Sequence, residues 1–250
     1  MGLVIHGTHV VVDHACKDWL VTEPAGNPTE EWVGELRIWS VFRRRLASAK
    51  LQRDRRLKML GDNCPIIYAL KGKQGLTTDL ASILHLSRSF DVILDDIANR
   101  DTDGYDAVIS MPSSHPLSAM VATRFARKFS APHLGNVFRK ITVEEALTML
   151  DRADIDVADH KRLAFRIGKQ LQSAGFHGAF SLKDIPVVFR HVFTPLKINA
   201  GALSLTTLRV LLVDDLLATG TTMVTAAELI RQTIPRASIC GACLFGSAGR

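Results

Sequence analysis

Apolar positions along the chain follow two different periods, and their alternation is the first structural signal. Leu3 to Val12 is apolar and β-branched, which predicts a short strand. Thr22 to Thr29, with Pro24, Gly26 and Pro28, is punctuated like a loop. From Glu30 to Leu60 the apolar residues Ile38, Phe42, Leu46, Ala49, Leu57 and Leu60 recur mostly three or four apart, the spacing of an amphipathic helix. Further on, Thr77 or Thr78 is placed to cap a helix reaching about Asn99. Asp106 to Met111 reads as a buried strand stopped by Pro112, and a helix follows from about Pro116 to Phe129. Arg209 to Val213 is then a strand, Thr222 to Gln232 a helix and Ala237 to Phe245 a closing strand. This alternation predicts an α/β fold with a parallel sheet flanked by helices.

The middle of the chain breaks the rhythm. From about Thr142 to Ala174 the pattern is helical and rich in charge, with no strand signal until Val187 to Phe193. The interval of about 142–186 is therefore expected to form a helical insertion, a hood over the carboxyl edge of the sheet, where open α/β folds bind their ligands. On this reading residues 1–61 are an N-terminal extension, a short strand plus a basic amphipathic helix, and residues 62–250 form the α/β domain.

Composition narrows the class. With 250 residues, 47% of them hydrophobic and 22% charged, a mainly disordered or collagen-like chain is excluded. The four cysteines, Cys16, Cys64, Cys240 and Cys243, are too few and too scattered for a disulfide scaffold, which predicts a reducing compartment. No apolar run approaches the roughly 18 residues of a membrane span. Met1 to Val12 lacks the basic start and long apolar stretch of a signal peptide, so a cytoplasmic protein without membrane association is expected. The formal net charge of +6 suits anionic partners, phosphorylated metabolites and nucleic acid alike.

The most informative stretch is Val210-Leu-Leu-Val-Asp-Asp-Leu-Leu-Ala-Thr-Gly-Thr-Thr222. An apolar strand delivers two carboxylates, Asp214 and Asp215, to a sheet edge. A loop of small residues with one glycine, Ala218, Thr219, Gly220, Thr221 and Thr222, then opens a helix. Small side chains let backbone N–H groups close on an anion, and the helix N-terminus adds about half a positive charge. Such a loop cradles a phosphate without a lysine. The carboxylates suit neighbouring hydroxyls of the same ligand and favour positive charge developing on its ring. The ligand so described is a ribose 5-phosphate.

Val213 to Thr222 resembles the phosphoribosyl pyrophosphate motif of type I phosphoribosyltransferases, with Ala218 where many members carry threonine. The resemblance extends towards the ComF-like branch through Pro65-Ile-Ile-Tyr-Ala-Leu-Lys-Gly-Lys73, Asp106-Ala-Val-Ile-Ser-Met-Pro-Ser-Ser114, Phe138-Arg-Lys-Ile-Thr142 and Gly178-Ala-Phe-Ser181, over roughly residues 62–250. It departs from that branch in two places. There is no N-terminal cysteine pair for zinc, and His115-Pro-Leu-Ser118 replaces an arginine-rich stretch. The resemblance implies transfer of the phosphoribosyl group from phosphoribosyl pyrophosphate to a nitrogen nucleophile, with release of pyrophosphate. Mg²⁺ would be held through the substrate, with no direct protein ligands. Asp214 and Asp215 would hold the ribose diol and Ala218 to Thr222 the 5-phosphate. Met111, Pro112, Ser113, Ser114 and His115 would hold the pyrophosphate, with Lys71 and Arg139 as anion contacts. The acceptor stays open, and a homo-oligomer is expected.

Plainer readings stand beside these. Paired aspartates can be a solvated strand end, although two adjacent carboxylates repel and are costly to bury without a ligand or metal. A receiver-type acidic pocket would need them after the first strand. Ser110 to His115 is also an ordinary turn sequence. Lys71, Lys73 and Arg139 taken singly are surface charges. The basic run Arg43 to Lys58 is the wet face of the expected helix or a docking face for nucleic acid or a protein partner. A non-catalytic sensor of phosphoribosyl pyrophosphate or a nucleotide, acting through that run, is the alternative to an enzyme. Cys240 and Cys243, three apart in a strand, face opposite ways and read as core residues. His6, His9, Asp13 and His14 would be scattered between two strand faces.

Overall fold

The computed structural model describes residues 2–13, 15–16, 18–45, 63–203 and 209–248. The chain opens with two hairpins, β1 (Gly2–His6) with β2 (His9–Asp13), and β3 (Thr29–Val33) with β4 (Leu36–Arg44). Helix α1 (Pro65–Leu70), the short β5 (Thr77–Thr78) and the long α2 (Leu80–Arg100) follow. Next come β6 (Ala107–Ser110), α3 (Leu117–Lys128), β7 (His133–Leu134) and β8 (Phe138–Lys140). Two further helices, α4 (Val143–Asp151) and α5 (Val157–Ala174), lead to β9 (Leu196–Ile198), and the described chain ends with β10 (Arg209–Leu216), α6 (Thr221–Thr233) and β11 (Ser238–Ala248).

The central sheet has six strands in the order β3-β4-β11-β10-β6-β7. All its neighbours are parallel except β3, which runs antiparallel to β4, so the expected parallel sheet is mixed at one edge. Helices cover both faces, which is why the inner strands read as unbroken apolar runs. Leu211, Val213, Cys240 and Ala242 pack with Ile66, Phe90, Ile93 and Phe125 of α1, α2 and α3. Val210, Leu212, Ile239 and Cys243 face the other way, against Met223, Ala226 and Ile230 of α6. Cys240 and Cys243 thus lie on opposite faces, both buried, as their spacing predicts.

Several expectations are corrected. Leu3 to Val12 forms a hairpin rather than one strand, because Gly7, with φ of 63°, turns the chain. The expected helix from Glu30 is replaced up to Arg44 by β3 and β4. In β4 Leu36, Ile38, Trp39, Val41 and Phe42 are all buried, so the gap from Ile38 to Phe42 is an accident of a strand with two apolar faces. Because β4 pairs with β11 inside the sheet, this segment is part of the main body rather than an appendage. The remainder of the expected helix, with the basic residues Lys50 to Lys58, lies outside the described residues. Finally, the cap of α2 is Asp79, which accepts from the Ser82 N–H at 2.6 Å, while Thr77 and Thr78 pair with β2.

The hood runs from β8 to β9, wider than the expected 142–186, and those two strands pair antiparallel to close it. It carries its own core of Ile141, Val143, Leu150, Leu163, Ile167, Phe180 and Phe193. The strand expected at Val187 to Phe193 is instead a 3-10 helix over Val187–Val192, begun by Pro186. Ile185 and Phe193 reach the hood core while Val187 and Val188 face outward, a division that a strand would not produce. Among the described residues no helix is long and apolar enough to cross a membrane.

Candidate functional site

Strand β10 continues past Val213, so Asp214 and Asp215 stand at the sheet's carboxyl edge in extended backbone. Consecutive strand residues diverge, yet one side chain gathers both. The Ser118 hydroxyl, in the first turn of α3, lies 3.1 Å from Asp214 Oδ1 and 3.2 Å from Asp215 Oδ2. The Asp215 N–H donates to Asp214 Oδ1 at 2.8 Å. Lys71, which ends α1, places its ammonium 2.6 Å from Asp215 Oδ2, with little of either side chain open to water. The pair is therefore unequal. Asp215 is buried and ion-paired with Lys71, whereas Asp214 is half-buried and has no ion pair among the described residues. Lost hydration, and then the charge of Asp215, push the Asp214 carboxyl up to about 6.

The loop after β10 is anchored at its start. The Leu217 N–H donates to the Phe245 carbonyl at 2.9 Å, and the Leu217 carbonyl accepts from Arg44 Nη2 at 2.7 Å. Arg44 Nε also donates to the Gly246 carbonyl, so the buried end of β4 ties this loop to β11. Gly220 then adopts φ of 74° as the residue preceding α6. A Cβ there would lie 2.9 Å from Val33 Cγ1, so the β3–β4 hairpin forms the back wall of the loop. Ala218 and Thr219 are exposed, and the Thr219 and Thr221 hydroxyls are 3.0 Å apart. The first intrahelical bond runs from Val224 N–H to Gly220 C=O. The N–H groups before Val224 have no acceptor within the helix, and the helix dipole lies behind them.

The second loop lies beside the carboxylates because β6 and β10 are neighbours, with Ser110 opposite Val213. Met111 N–H donates to the Val213 carbonyl at 2.8 Å, and its side chain is buried in the core, so only its backbone belongs to the loop. Pro112, Ser113, Ser114 and His115 line a cavity of about 260 Å³ together with Ser118 and Asn136. His115 Nδ1 accepts the Leu117 N–H at 3.2 Å, which turns the ring back onto the start of α3.

The structure thus brings together Asp214, Asp215, Lys71, the Ala218–Thr222 loop and the Met111–His115 loop. Arg139 is the exception. Its two terminal nitrogens meet Glu145 at 2.7 and 2.8 Å, and Lys197 joins the same carboxylate at 2.8 Å. Glu145 also completes the cap of α4 with Thr142. The bonds from Arg139 above all hold this carboxyl far below the usual range. Arg139, expected as an anion contact, is thus engaged with Glu145 inside the hood, and its neighbour Lys140 lines the cavity at the loop between β10 and α6.

Ser118 and Arg44 were not legible as site residues. Ser118 sits in the tetrapeptide that departs from the arginine-rich pattern, and its one signal is a position one turn beyond a loop next to the aspartates. Arg44 belonged to the expected wet helix face. No family model matches the chain, and no match was found among curated proteins.

Proposed function

We propose that the chain is a type I phosphoribosyltransferase-like protein that binds phosphoribosyl pyrophosphate and transfers its phosphoribosyl group to a nitrogen nucleophile, releasing pyrophosphate. One observation carries the reading. The unequal aspartate pair, the glycine-bearing loop at the start of α6 and the serine-rich loop after β6 converge on one sheet edge under a hood. A diol, a phosphate and a diphosphate are the groups such an edge can hold at once.

In this reading Asp214 and Asp215 accept hydrogen bonds from the ribose hydroxyls and lie where positive charge builds on the ring as the bond to pyrophosphate lengthens. The Thr221 and Thr222 N–H groups hold the 5-phosphate, and Ser113 and Ser114 the diphosphate. The hood excludes water from the reacting carbon. Catalysis is positioning and charge stabilisation, with no covalent step on the protein. Among the described residues no group of three or more metal-ligating side chains is present, so Mg²⁺ would be held through the diphosphate and ribose hydroxyls of the substrate. Mg²⁺, when bound with the substrate, supplies neutralisation of the diphosphate charge.

The test is calorimetric titration of phosphoribosyl pyrophosphate, with and without Mg²⁺, into the protein and its Asp214→Asn/Asp215→Asn variant. Affinity should fall at least about tenfold, ~1.4 kcal/mol, in the variant. Equal affinity in the two proteins would end the assignment.

A second reading, a non-catalytic sensor, is favoured by the absence of arginine from Met111–Ser118 and by the engagement of Arg139 with Glu145. Pyrophosphate release across a panel of nitrogen acceptors separates the two. Of the basic run meant to carry the signal, Arg44 is buried against two backbone carbonyls and presents no charge to a nucleic acid.

A further inference from the structure

The phosphate loop has a second wall, supplied by the hood. A cavity of about 280 Å³ is lined on one side by Ala218, Thr219, Thr221 and Thr222. On the other side stand three cations from separate hood segments, Lys140 of β8, Lys183 of the 3-10 turn Leu182–Asp184, and Arg190 of the 3-10 helix Val187–Val192. Among the described residues no carboxylate lines it. Arg190 is oriented by its Nε, which donates to the Ile185 carbonyl at 3.0 Å. A neighbouring cavity of about 520 Å³ shares Arg190, Thr219 and Thr221 and extends along α6 to Thr225 and Glu228.

The charge of this arrangement exceeds what a 5-phosphate needs. A monophosphate near neutral pH carries about −1.5 to −2. Free N–H groups at a helix start with the helix dipole already form a sufficient site for it. Three further cations match the charge of additional phosphates linked to the first. The larger cavity, unlike the smaller, includes a carboxylate residue, Glu228, in its lining.

We propose that the loop and the hood together form a polyphosphate subsite that takes nucleoside 5′-di- and triphosphates in competition with phosphoribosyl pyrophosphate. The 5′-phosphate lies on the α6 loop, the outer phosphates lie against Lys140, Lys183 and Arg190, and the ribose diol meets the aspartates. This inference rests on the reading of the loop as a ribose 5-phosphate site.

The experiment titrates ribose 5-phosphate, AMP, ADP and ATP at fixed Mg²⁺ into the full chain and into Lys140→Gln/Lys183→Gln/Arg190→Gln. In the unaltered protein ADP and ATP should bind about tenfold more tightly than AMP, ~1.4 kcal/mol, and phosphoribosyl pyrophosphate should displace them. The triple variant should keep its affinity for ribose 5-phosphate within about threefold and lose the preference for ADP and ATP. Should the triple variant fold poorly by circular dichroism, each single glutamine variant should lower that preference by about two- to threefold. Equal affinity for AMP and ADP, a preference that survives the substitutions, or ADP binding that phosphoribosyl pyrophosphate cannot displace overturns the subsite. Ribose 5-phosphate that binds while ADP shows no gain sinks the subsite alone. Ribose 5-phosphate that fails to bind sinks the underlying reading and the subsite with it.

Discussion

Asp214 and Asp215 are neighbours in the chain with the same side chain, and their surroundings divide them. Lys71 forms its ion pair with Asp215, while Asp214 accepts from the Ser118 hydroxyl and a backbone N–H. With its carboxyl raised to about 6, Asp214 binds its proton more tightly in the folded chain than in the unfolded one. Folded-state stability from this group therefore falls as pH rises from the ordinary aspartate range, about 4, towards about 6. On the proposed function, ligand hydroxyls donate more strongly to the ionised carboxylate than to the neutral acid, so affinity for ribose 5-phosphate should rise across the same interval. The phosphate's own ionisation, near about 6, acts equally on every variant. The readout is the difference in slope between the unaltered protein and Asp214→Asn, which should be flatter; identical slopes would refute the titration of Asp214.

At the level of elements, the loop between β10 and α6 depends on a hairpin far from it in sequence. Gly220 needs a positive φ, and Val33 of β3 fills the space where a side chain would stand. Gly220→Ala should cost about 1–2 kcal/mol from the left-handed backbone alone, with the clash against Val33 added. Thermal denaturation should show a clear loss, and Val33→Ala in the same chain should recover the steric part only. A Gly220→Ala protein as stable as the original would mean that the loop does not turn here. The parts legible in the sequence were those set by local pattern: β10, β11, α2, α3 and α6, together with the consecutive residues Asp214 to Thr222. What escaped depends on partners distant in sequence. β4 hides its strand period because both its faces are buried, and Ser118, Arg44 and Lys140 reach the site only through the order of the strands and the folding-over of the hood. The pairing of Arg139 with Glu145 was hidden for the same reason, since it forms only once α4 packs beside β8.

For the whole molecule, a cluster at the opposite, amino edge of the sheet joins the strands that carry the site. Buried Asp101, after α2, accepts from Arg37 of β4 at 2.6 Å, from Trp39 Nε1 at 3.3 Å, from the Tyr105 hydroxyl and from Arg209 of β10. Burial alone would raise its carboxyl, but the bonds from Tyr105 and Arg209 and the charge of Arg37 outweigh that and hold it below the ordinary value. The stability it contributes is present above the ordinary aspartate pKa of about 4 and is lost as pH falls through the lower folded value. Asp101→Ala should therefore destabilise the fold by about 3 kcal/mol at neutral pH in urea denaturation, with the deficit shrinking in acid. A deficit unchanged in acid would remove the carboxylate from that account.

The position of β11 bears on how the molecule is made. It lies between β4 and β10, yet it is the last described strand to be synthesised. Until Ser238–Ala248 leaves the ribosome, β4 and β10 remain unjoined edges with open hydrogen-bonding groups, the kind of surface that chaperones shield. The carbonyls of Phe245 and Gly246, which anchor Leu217 and Arg44, arrive with that strand. The nascent chain thus carries the sequence of the loop between β10 and α6 for some time before it carries the loop itself.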